Sequence, residues 1–287
     1  MQIAFATHDG LDGLTPSDAL AAVELERRGS TVTPLPWSSS ADWRQFAAVV
    51  IRATWDYHKR ADEFLVWLAK LEEQRVSLWN PAPIARWNLH KGYLRELERA
   101  GVPIVPTAWI SRSTQPGSLE QLVRTRGWTD VVVKPAVSAT AYRTWRTAAT
   151  ITEQDERQLQ SLAAAGDVMV QPFMEPLARE GEWSFVFLGG EFSHAVLKRA
   201  AAGDFRVQSN FGGTVAGRNP PDEWVQQARA VLEPVQGPWL YARVDGCIVD
   251  GRFVLVELEM LEPDLFLNHE PKAPARFADS LLRLLPP

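Results

Sequence analysis

The first hundred residues alternate between short apolar runs and longer stretches in which apolar positions recur with a helical period. Runs typical of buried strands cover residues 2–7, 31–35, 47–52 and 76–79. Thr15 and Pro16 predict a helix that begins at the proline and ends near Gly29, because threonine caps a helix and proline fits its first turn. A second helix has one apolar face, formed by Phe64, Trp67, Leu68 and Leu71. Strands that alternate with helices predict a parallel sheet, with ligands beyond the carboxyl ends of its strands.

From residue 102 onward the pattern changes to short β-rich runs bounded by glycine and proline. Such runs cover residues 131–134, 168–171 and 183–188, and Gly189-Gly190 after the last of them predicts a hairpin. We therefore predict an α/β N-terminal domain with a Rossmann-like parallel sheet over residues 1–101. An α+β region in two lobes follows, over residues 102–178 and 179–287.

Composition and charge narrow the class of protein. The 287 residues carry a net charge of −5, which argues against a general nucleic-acid binder because such proteins are basic. No apolar run approaches the ~20 residues that span a bilayer, and the first residues do not have the pattern of a signal peptide. The single cysteine, Cys247, excludes an intrachain disulfide. We expect a cytoplasmic protein without nucleic-acid or membrane partners, and a homo-oligomer stays possible.

Residues 241–259 combine two apolar runs with the charged residues Arg243, Asp245, Glu257 and Glu259 around an Asp-Gly pair. A two-residue turn would place Asp245 on the sheet face opposite to the glutamates, because side chains alternate along a strand. A three-residue turn with its glycine left-handed shifts the register by one residue. It sets Arg243 across from Glu257 and brings the three carboxylates to one face. We predict the three-residue form.

Three carboxylates on one face beside apolar walls repel one another unless a cation or protonation neutralises them. Oxygen ligands of this kind suit Mg²⁺, which keeps several waters and bridges to phosphates. The alternative is a half-exposed strand whose outer face happens to be acidic. The first interpretation predicts a Mg²⁺ site at Asp245, Glu257 and Glu259.

Basic residues elsewhere favour a phosphorylated ligand. Lys134 ends an apolar strand, where solvated lysines are uncommon, whereas Lys91 lies in a predicted helix and would by itself be a surface residue. Lys198 ends another strand. The loop after it contains Arg206, Asn210, Gly212 and Gly213, a mixture typical of a flap over an anion.

Two further segments are candidates for ligand contacts. Residues 170–176 leave a strand through a proline, where the backbone could bind a purine edge with Phe173 against the ring; an ordinary linker between lobes is the alternative. Candidates for substrate contacts follow the strand ends of the first domain, and these are His8, Asp9, Arg52, Trp55 and Asp56. Arg52 is the strongest of them, as the partner of a substrate carboxylate.

The order of these residues resembles the ATP-grasp ligases. The pieces that carry the resemblance are Lys91, Val-Val-Val-Lys134-Pro, Val-Gln171-Pro-Phe-Met-Glu175, Gly-Glu182-Trp-Ser, Lys198, Gly-Asp-Phe-Arg206, Arg243-Val-Asp245 and Glu257-Leu-Glu259. No single piece is specific, but together they run in order from Lys91 to Pro263. The stretches Trp55-Asp-Tyr and Trp79-Asn-Pro are most similar to the O-ureido-serine cyclo-ligase branch of these enzymes, which stands close to the prokaryotic glutathione synthetases.

The resemblance implies a role for each position. Lys91, Lys134 and Ser138 would contact the ATP phosphates, and Gln171, Phe173 and Met174 the adenine, with Glu175 near the ribose and Glu182 near the adenosine. Lys198 and Arg206 would approach the triphosphate or an acyl phosphate. Arg243 would stabilise charge on the reacting carbonyl, and the three hairpin carboxylates would hold two Mg²⁺ ions.

Two positions depart from the pattern of these ligases. Many of them have a glycine-rich phosphate loop after the second lysine, but residues 135–141 contain no glycine. Glu259 stands where asparagine is more usual, which adds charge at the implied metal site.

The resemblance implies a two-lobed ATP-grasp fold and an ATP- and Mg²⁺-dependent ligase for a small amino-acid-like substrate. Phosphorylation of a carboxylate or ureido oxygen would precede attack by an amine or hydroxylamine nitrogen. Cyclisation and intermolecular ligation both stay open. The alternatives from other classes are a small-molecule kinase that stops at the phosphorylated product and a nucleotide-binding regulator without turnover.

Overall fold

A parallel sheet with flanking helices forms the first part of the chain. The structure, a computed structural model, describes residues 1–113, 116–148, 150–201, 203–204, 206 and 211–285. The elements of this part are β1 (Gln2–Thr7), α1 (Pro16–Arg27), β2 (Thr31–Pro36), β3 (Ala48–Ile51), α2 (Ala61–Glu73), β4 (Leu78–Trp79), α3 (Ala82–Leu89) and α4 (Tyr93–Arg99). The strands pair in the order β2-β1-β3-β4, and the pairings are parallel. The predicted parallel sheet is therefore confirmed.

The helices of this part show how well the apolar pattern predicts burial. Thr15 caps α1 by accepting a hydrogen bond from the backbone of Asp18, as its place before Pro16 predicts. The predicted apolar face of α2 is buried. In α1, by contrast, Leu20 and Val23 are exposed, and Ala21, Ala22 and Leu25 are buried.

A four-stranded antiparallel sheet forms the middle of the chain. Its elements are β5 (Ala108–Ile110), α5 (Leu119–Arg126), β6 (Asp130–Pro135), β7 (Trp145–Ala148), α6 (Glu153–Ala165) and β8 (Val168–Pro172). The strand order is β5-β8-β6-β7. Helices α5 and α6 pack on this sheet through Leu119, Val123, Leu159 and Leu162.

A five-stranded antiparallel sheet forms the third part. It follows α7 (Glu175–Glu180), and its elements are β9 (Glu182–Leu188), β10 (Glu191–Arg199), β11 (Thr214–Arg218), α8 (Asp222–Ala230), β12 (Tyr241–Val249), β13 (Arg252–Glu259) and α9 (Ala273–Leu284). The order is β11-β10-β9-β12-β13. Gly189-Gly190 joins β9 to β10 as the predicted hairpin turn.

The predicted turn between β12 and β13 is wrong. Val249 pairs with Arg252, so the loop contains two residues, Asp250 and Gly251, and both have positive φ, as a tight hairpin turn requires. A bulge further along corrects the register, because Gly246 pairs with Leu255 while the next pair is Asp245 with Glu257.

The bulge leaves Val256 as the extra residue and returns Asp245 to the face of the glutamates. Arg243 consequently lies across from Glu259, and not from Glu257 as the three-residue turn required. The shared face of the carboxylates was expected, but it arises from a bulge that the turn sequence does not reveal.

Two buried asparagines connect the first part to the β12–β13 hairpin. The amide of Asn80 donates to the carbonyls of Tyr241 and Met260, at 2.8 Å each. Asn88 donates to the carbonyl of Leu258 and accepts from the backbone of Met260. These bonds hold both strands of the hairpin against the first part, so the carboxylates have a fixed position relative to it.

Each sheet lies within one of the three predicted segments, but the end of the chain returns to the first. Phe277 and Leu281 of α9 share a core with Ile3, Phe5 and Leu25. The longest helices described, α2 and α6, have 13 residues each, and none in the described part of the chain is long and apolar enough to cross a membrane.

Candidate active site

A cleft of about 410 Å³ lies where the three parts meet. The residues predicted for ATP, metal or catalysis that line it are Lys91, Lys134, Ser138, Gln171, Phe173, Met174, Glu182, Lys198, Arg206, Arg243, Asp245, Glu257 and Glu259. Glu175 is exposed at the start of α7 and does not line the cleft. Positions spread over more than 160 residues of chain thus converge on one cavity.

Asp245 is the most buried of the three hairpin carboxylates, with 2% of the residue exposed. Arg243 donates to both of its oxygens, and the ammonium of Lys198 lies 2.9 Å from Oδ2. Burial raises the pKa of Asp245, but Arg243 and Lys198 outweigh burial and lower that pKa to about 2. Asp245 is therefore ionised and fully engaged by cations of the protein.

Lys198 joins two acidic side chains from different strands. Its ammonium contacts Asp245 of β12 and lies 3.0 Å from the carboxylate of Glu182 on β9. Burial lowers the pKa of Lys198, but the two carboxylates outweigh burial and raise it. Burial raises the pKa of Glu182, and the opposing effect of Lys198 is too small to reverse that shift.

Glu257 has a separate partner, Lys91. The Lys91 ammonium lies 2.9 Å from Oε1 of Glu257 and 2.7 Å from the carbonyl of Ser138, so it connects the hairpin to the loop after β6. Burial raises the pKa of Glu257, but Lys91 and then Lys134 outweigh burial and lower it. Glu257 is ionised without any bound metal.

Glu259 shares Arg243 with Asp245, through Nη2. Burial raises the pKa of Glu259 to about 8, because the nearby Asp245 and Glu257 add to the effect of burial and Arg243 only partly opposes it. Lysine and arginine side chains of the protein thus pair with all three carboxylates of this apolar hairpin. The neutralising cation expected from the sequence is supplied by the protein at Asp245 and Glu257, and the Mg²⁺ site stays a prediction.

The donor set still fits a divalent cation at the mouth of the hairpin. Among the described residues, no three Asp, Glu, His or Cys side chains are grouped as an all-protein metal site would require. Mg²⁺ needs only one or two carboxylates when phosphates and water supply its other ligands. About a quarter of each side chain of Glu257 and Glu259 is exposed, whereas Asp245 is buried and contacts Arg243 and Lys198.

Lys134 differs from the other lysines of the cleft. In the part of the chain that the structure describes, no carboxylate oxygen lies within 4 Å of its ammonium, whereas Lys91 and Lys198 are both ion-paired. Burial lowers the pKa of Lys134, and the more distant Glu257 opposes this effect. An ammonium in this position is suited to an anion that enters the cleft.

The predicted adenine segment lies at the cleft, but its donors are partly used. The backbone N–H of Phe173 donates to the carbonyl of Asp130, so it is not available to a purine. The guanidinium of Arg146 lies 3.5 Å from the centre of the Phe173 ring. The side-chain amide of Gln171 donates to Thr107. Phe173 and Met174 line the cleft through their side chains.

The loop after β6 replaces the expected glycines with strained residues. Thr140, Ala141 and Arg143 have φ values of 51°, 56° and 52°, a left-handed conformation that glycine adopts without cost. Thr140 and Ala141 line the cleft. The loop therefore has the backbone form of a glycine-rich turn, without glycine.

Arg52, the strongest predicted substrate contact, does not lie on the cleft. It is 2% exposed, its Nε donates to Asp18 at 2.7 Å, and its Nη2 donates to the carbonyl of Pro263 at 2.9 Å. The sequence assigned Arg52 to a substrate carboxylate, but in the structure its carboxylate partner is Asp18 of α1. This prediction is wrong because a buried arginine that is bound in this way cannot reach a ligand.

The other substrate candidates of the first domain divide into two groups. Trp55 lines the cleft. His8 and Asp9 do not; His8 accepts from the backbone of Gly10, and Asp9 accepts from Ser38 and Arg60. Asp56 also lies away from the cleft lining and accepts from the indole of Trp37.

The loop after β10 contributes Arg206 to the cleft, where it lies over the ring of Phe211. Gly212 and Gly213 do not line the cleft, and Asn210 lies outside the described residues. Sequence reasoning missed Tyr57, Glu262 and Asp264, which do line it. Tyr57 stands two residues after Trp55, and Glu262 three after Glu259, so proximity to the named motifs was the available indication.

Comparisons with known proteins identify the family and the fold of this chain. A family described as "D-cycloserine synthetase DcsG, N-terminal domain" matches residues 3–80. The cycloserine biosynthesis protein DcsG of Streptomyces lavendulae is 30% identical over 276 residues, 90% of each chain. The crystal structure of D-cycloserine synthetase DcsG has a TM-score of 0.88 at 27% identity over 99% of both chains. D-alanine–D-alanine ligase from Bacillus anthracis, in complex with ATP, has a TM-score of 0.70 at 14% identity over 99% of this chain and 96% of its own.

The fold and the cleft define an ATP-dependent ligase of the ATP-grasp class, as the order of motifs predicts. Within that class, the chain belongs to the family of the D-cycloserine synthetase DcsG.

Proposed function

We propose that this ligase uses ATP and Mg²⁺ to activate a small amino-acid-like substrate and then closes a C–N bond within that substrate. Intramolecular closure is favoured over ligation of two molecules because the relatives are named for cycloserine, a cyclic amino-acid derivative. O-ureido-serine is the first substrate to test. Its stereochemistry is left to the experiment.

The observation that carries the proposal is the convergence of Lys134, Arg243 and the glutamates of β13 on one cleft. Lys134 would bind an ATP phosphate, because its ammonium has no carboxylate within 4 Å among the described residues. Arg206 would approach the same phosphates from the loop after β10. Mg²⁺, held by Glu257 and Glu259, would neutralise charge on the phosphates.

The proposed reaction has two steps. A carboxylate or ureido oxygen of the substrate attacks the γ-phosphorus, the bond from phosphorus to the β,γ-bridging oxygen breaks, and ADP leaves. A nitrogen of the same molecule then attacks the activated carbon, the bond from carbon to the phosphorylated oxygen breaks, and phosphate leaves with that oxygen while the nitrogen loses a proton to water. Arg243 would stabilise the negative charge on the reacting oxygen, and the cleft would hold the two ends of the substrate in reach.

The test is a stoichiometry measurement on the full-length protein with ATP, Mg²⁺ and each enantiomer of O-ureido-serine. One substrate consumed for each ADP and each phosphate released supports ring closure. Two substrate molecules for each ADP would establish intermolecular ligation in its place.

The remaining outcomes separate the alternative classes. ADP release without phosphate, together with a stable phosphorylated product, would identify a small-molecule kinase. Tight ATP binding without ADP release over a wide panel of amino acids would identify a nucleotide-binding regulator. The cytoplasmic location stays a prediction from the sequence.

A further inference from the structure

Most acidic side chains of the cleft form an ion pair with a cation of the protein; among the described residues, Glu262 and the half-buried Asp264 do not. Glu182 and Asp245 contact Lys198, Glu257 contacts Lys91, and Glu259 contacts Arg243. Glu262 also lines the cleft and is 8% exposed. Among the residues that the structure describes, it is the buried carboxylate of the cleft without a cation within 4 Å.

The two nearest cations are committed elsewhere. A lysine ammonium has three N–H donors, and those of Lys91 reach the carbonyl of Ser138, the hydroxyl of Ser138 and the carboxylate of Glu257. Arg243 donates to Asp245, to Glu259 and to the backbone carbonyl of Asp264. Neither cation can neutralise Glu262 unless it gives up an existing bond.

Aromatic residues of the loop after β3 lie near Glu262. Trp55 donates its indole N–H to the backbone carbonyl of Glu262 at 3.2 Å, which fixes the loop after β13. The buried Tyr57 lies near the carboxylate of Glu262 and lowers the pKa of that carboxyl. Trp55, Tyr57 and Phe266 line the same cleft as Glu262, so the cleft that holds this unpaired carboxylate also contains aromatic side chains.

We propose that Glu262, which lies near Trp55 and Tyr57, binds the primary ammonium group of the amino-acid-like substrate. An ammonium brings a positive charge and three donors, which a carboxylate accepts, and an aromatic face stabilises the same cation. This subsite rests on the proposed function, because it assigns the substrate of that reaction an amine that takes no part in bond formation. It also fixes which end of the substrate lies against the loop 261–266.

A protonated Glu262 is the competing explanation. Burial raises the pKa of this carboxyl to about 7, although Arg243 and Lys91 oppose the rise. A neutral carboxyl at this position would need no cationic ligand. The two explanations differ in whether binding depends on an amine in the ligand.

The experiment measures binding by calorimetry to the full-length protein saturated with Mg²⁺ and a non-hydrolysable ATP analogue. The probes are O-ureido-serine, as each enantiomer, and 3-(ureidooxy)propionate, which lacks only the amine. We expect the wild type to bind the better enantiomer about 10- to 100-fold more tightly than the desamino probe. Glu262→Gln should abolish that difference and leave the dissociation constant of the desamino probe unchanged.

The control variant is Glu191→Gln, which removes an exposed carboxylate of the same lobe that contacts Arg229. It should bind both probes as the wild type does. Glu262→Gln should fold normally, because it removes a buried charge without a cationic partner.

Each of the other results would overturn either the ammonium subsite or the proposed reaction. Equal weakening of both probes by Glu262→Gln would make Glu262 a structural residue and overturn the subsite, as would a wild type that binds both probes alike or binds neither. An amine preference that depends on Glu262, without any ADP release in the turnover assay, would keep the subsite and overturn the proposed reaction. ADP release with no effect of Glu262→Gln on the amine preference would do the reverse.

Discussion

Arg52 and Lys134 stand at the same kind of place in the sequence, since each follows or ends a short apolar strand, but their surroundings differ. Arg52 is completely enclosed and contacts Asp18 and the carbonyl of Pro263. Lys134 is partly exposed to the cleft, and no carboxylate within the described residues lies near enough to pair with it. The first cation joins parts of the fold, and the second is open to a ligand.

An apolar strand with a terminal charge therefore indicates burial and does not by itself indicate function. What decides is whether the fold supplies a counter-charge. For Arg52 the counter-charge comes from Asp18, 34 residues earlier, and a second bond comes from a carbonyl 211 residues later. Local sequence contains neither fact.

The largest expected effect tests Arg52, the buried arginine that contacts Asp18. Arg52→Met removes the cation and leaves Asp18 buried with only neutral partners, so we expect a loss of about 3–5 kcal/mol in the free energy of unfolding. Urea titration followed by circular dichroism measures this loss.

Lys134→Met is the matched control, because it makes the same replacement at the other strand end. It should leave the free energy of unfolding unchanged or slightly higher, since burial already opposes the charge of Lys134. If the two variants lose equal stability, the distinction between a paired and an unpaired strand-end charge is wrong.

The next effect concerns the acidic side of the cleft. Glu257→Gln keeps the shape of the side chain but removes the negative charge that Lys91 and a bound Mg²⁺ would share. We expect ADP release at saturating ATP and Mg²⁺ to fall by about 100-fold or more. The variant should stay folded, because Lys91 keeps its bond to the Ser138 carbonyl. Normal turnover in this variant would remove Glu257 from the metal site.

His194 extends the comparison to pH, because it is a buried group held by distant backbone, as Arg52 is. A neutral ring donates from Nε2 to the carbonyl of Leu265 and accepts from the hydroxyl of Ser193 at Nδ1. Burial lowers the pKa of His194 to about 4. Between that value and the ordinary pKa near 6.5, the unfolded chain binds a proton that the folded chain does not, so the fold loses stability as the pH falls.

We expect this histidine to contribute a loss of about 2 kcal/mol in the free energy of unfolding between pH 7 and pH 5. His194→Gln, which cannot titrate, should show a correspondingly smaller loss over the same range in urea titrations. Parallel pH profiles for the two proteins would show that His194 is not a buried neutral group.

Much of the fold can be predicted from local sequence, because the periodicity of apolar residues and the identity of turn residues act over only a few positions. The parallel sheet, the apolar face of α2 and the Gly189-Gly190 hairpin needed no more than that. The β12–β13 register did not follow, because it is set by a bulge beside Gly246, where the close approach of Val254 and Phe253 leaves no room for a side chain, and the turn sequence contains no sign of that bulge.

The candidate site shows the same division. The motif order predicted many of the residues that line the cleft, although Glu175 does not line it and Tyr57, Glu262 and Asp264 were missed. It did not predict which charges pair with one another. The ion pair of Lys91 with Glu257 joins residues 166 positions apart in the chain, and that of Lys198 with Asp245 joins residues 47 positions apart. Only when these pairs are known can Glu262 be recognised as unpaired. Pairing is a property of the assembled cleft.

The smallest expected effect is also the most direct test of Lys134, the residue of the pair that lines the cleft. Lys134→Met should weaken ATP binding about tenfold or more, because a phosphate loses an ammonium that has no other partner within reach. Equilibrium dialysis with a non-hydrolysable ATP analogue measures the dissociation constant, and Arg52→Met, studied below the denaturant concentration at which it unfolds, should keep the wild-type value. The two variants would then have opposite effects, one on stability alone and one on binding alone. An unchanged dissociation constant in Lys134→Met would show that the unpaired ammonium does not hold a phosphate, and that a missing counter-charge is not sufficient to identify a ligand contact.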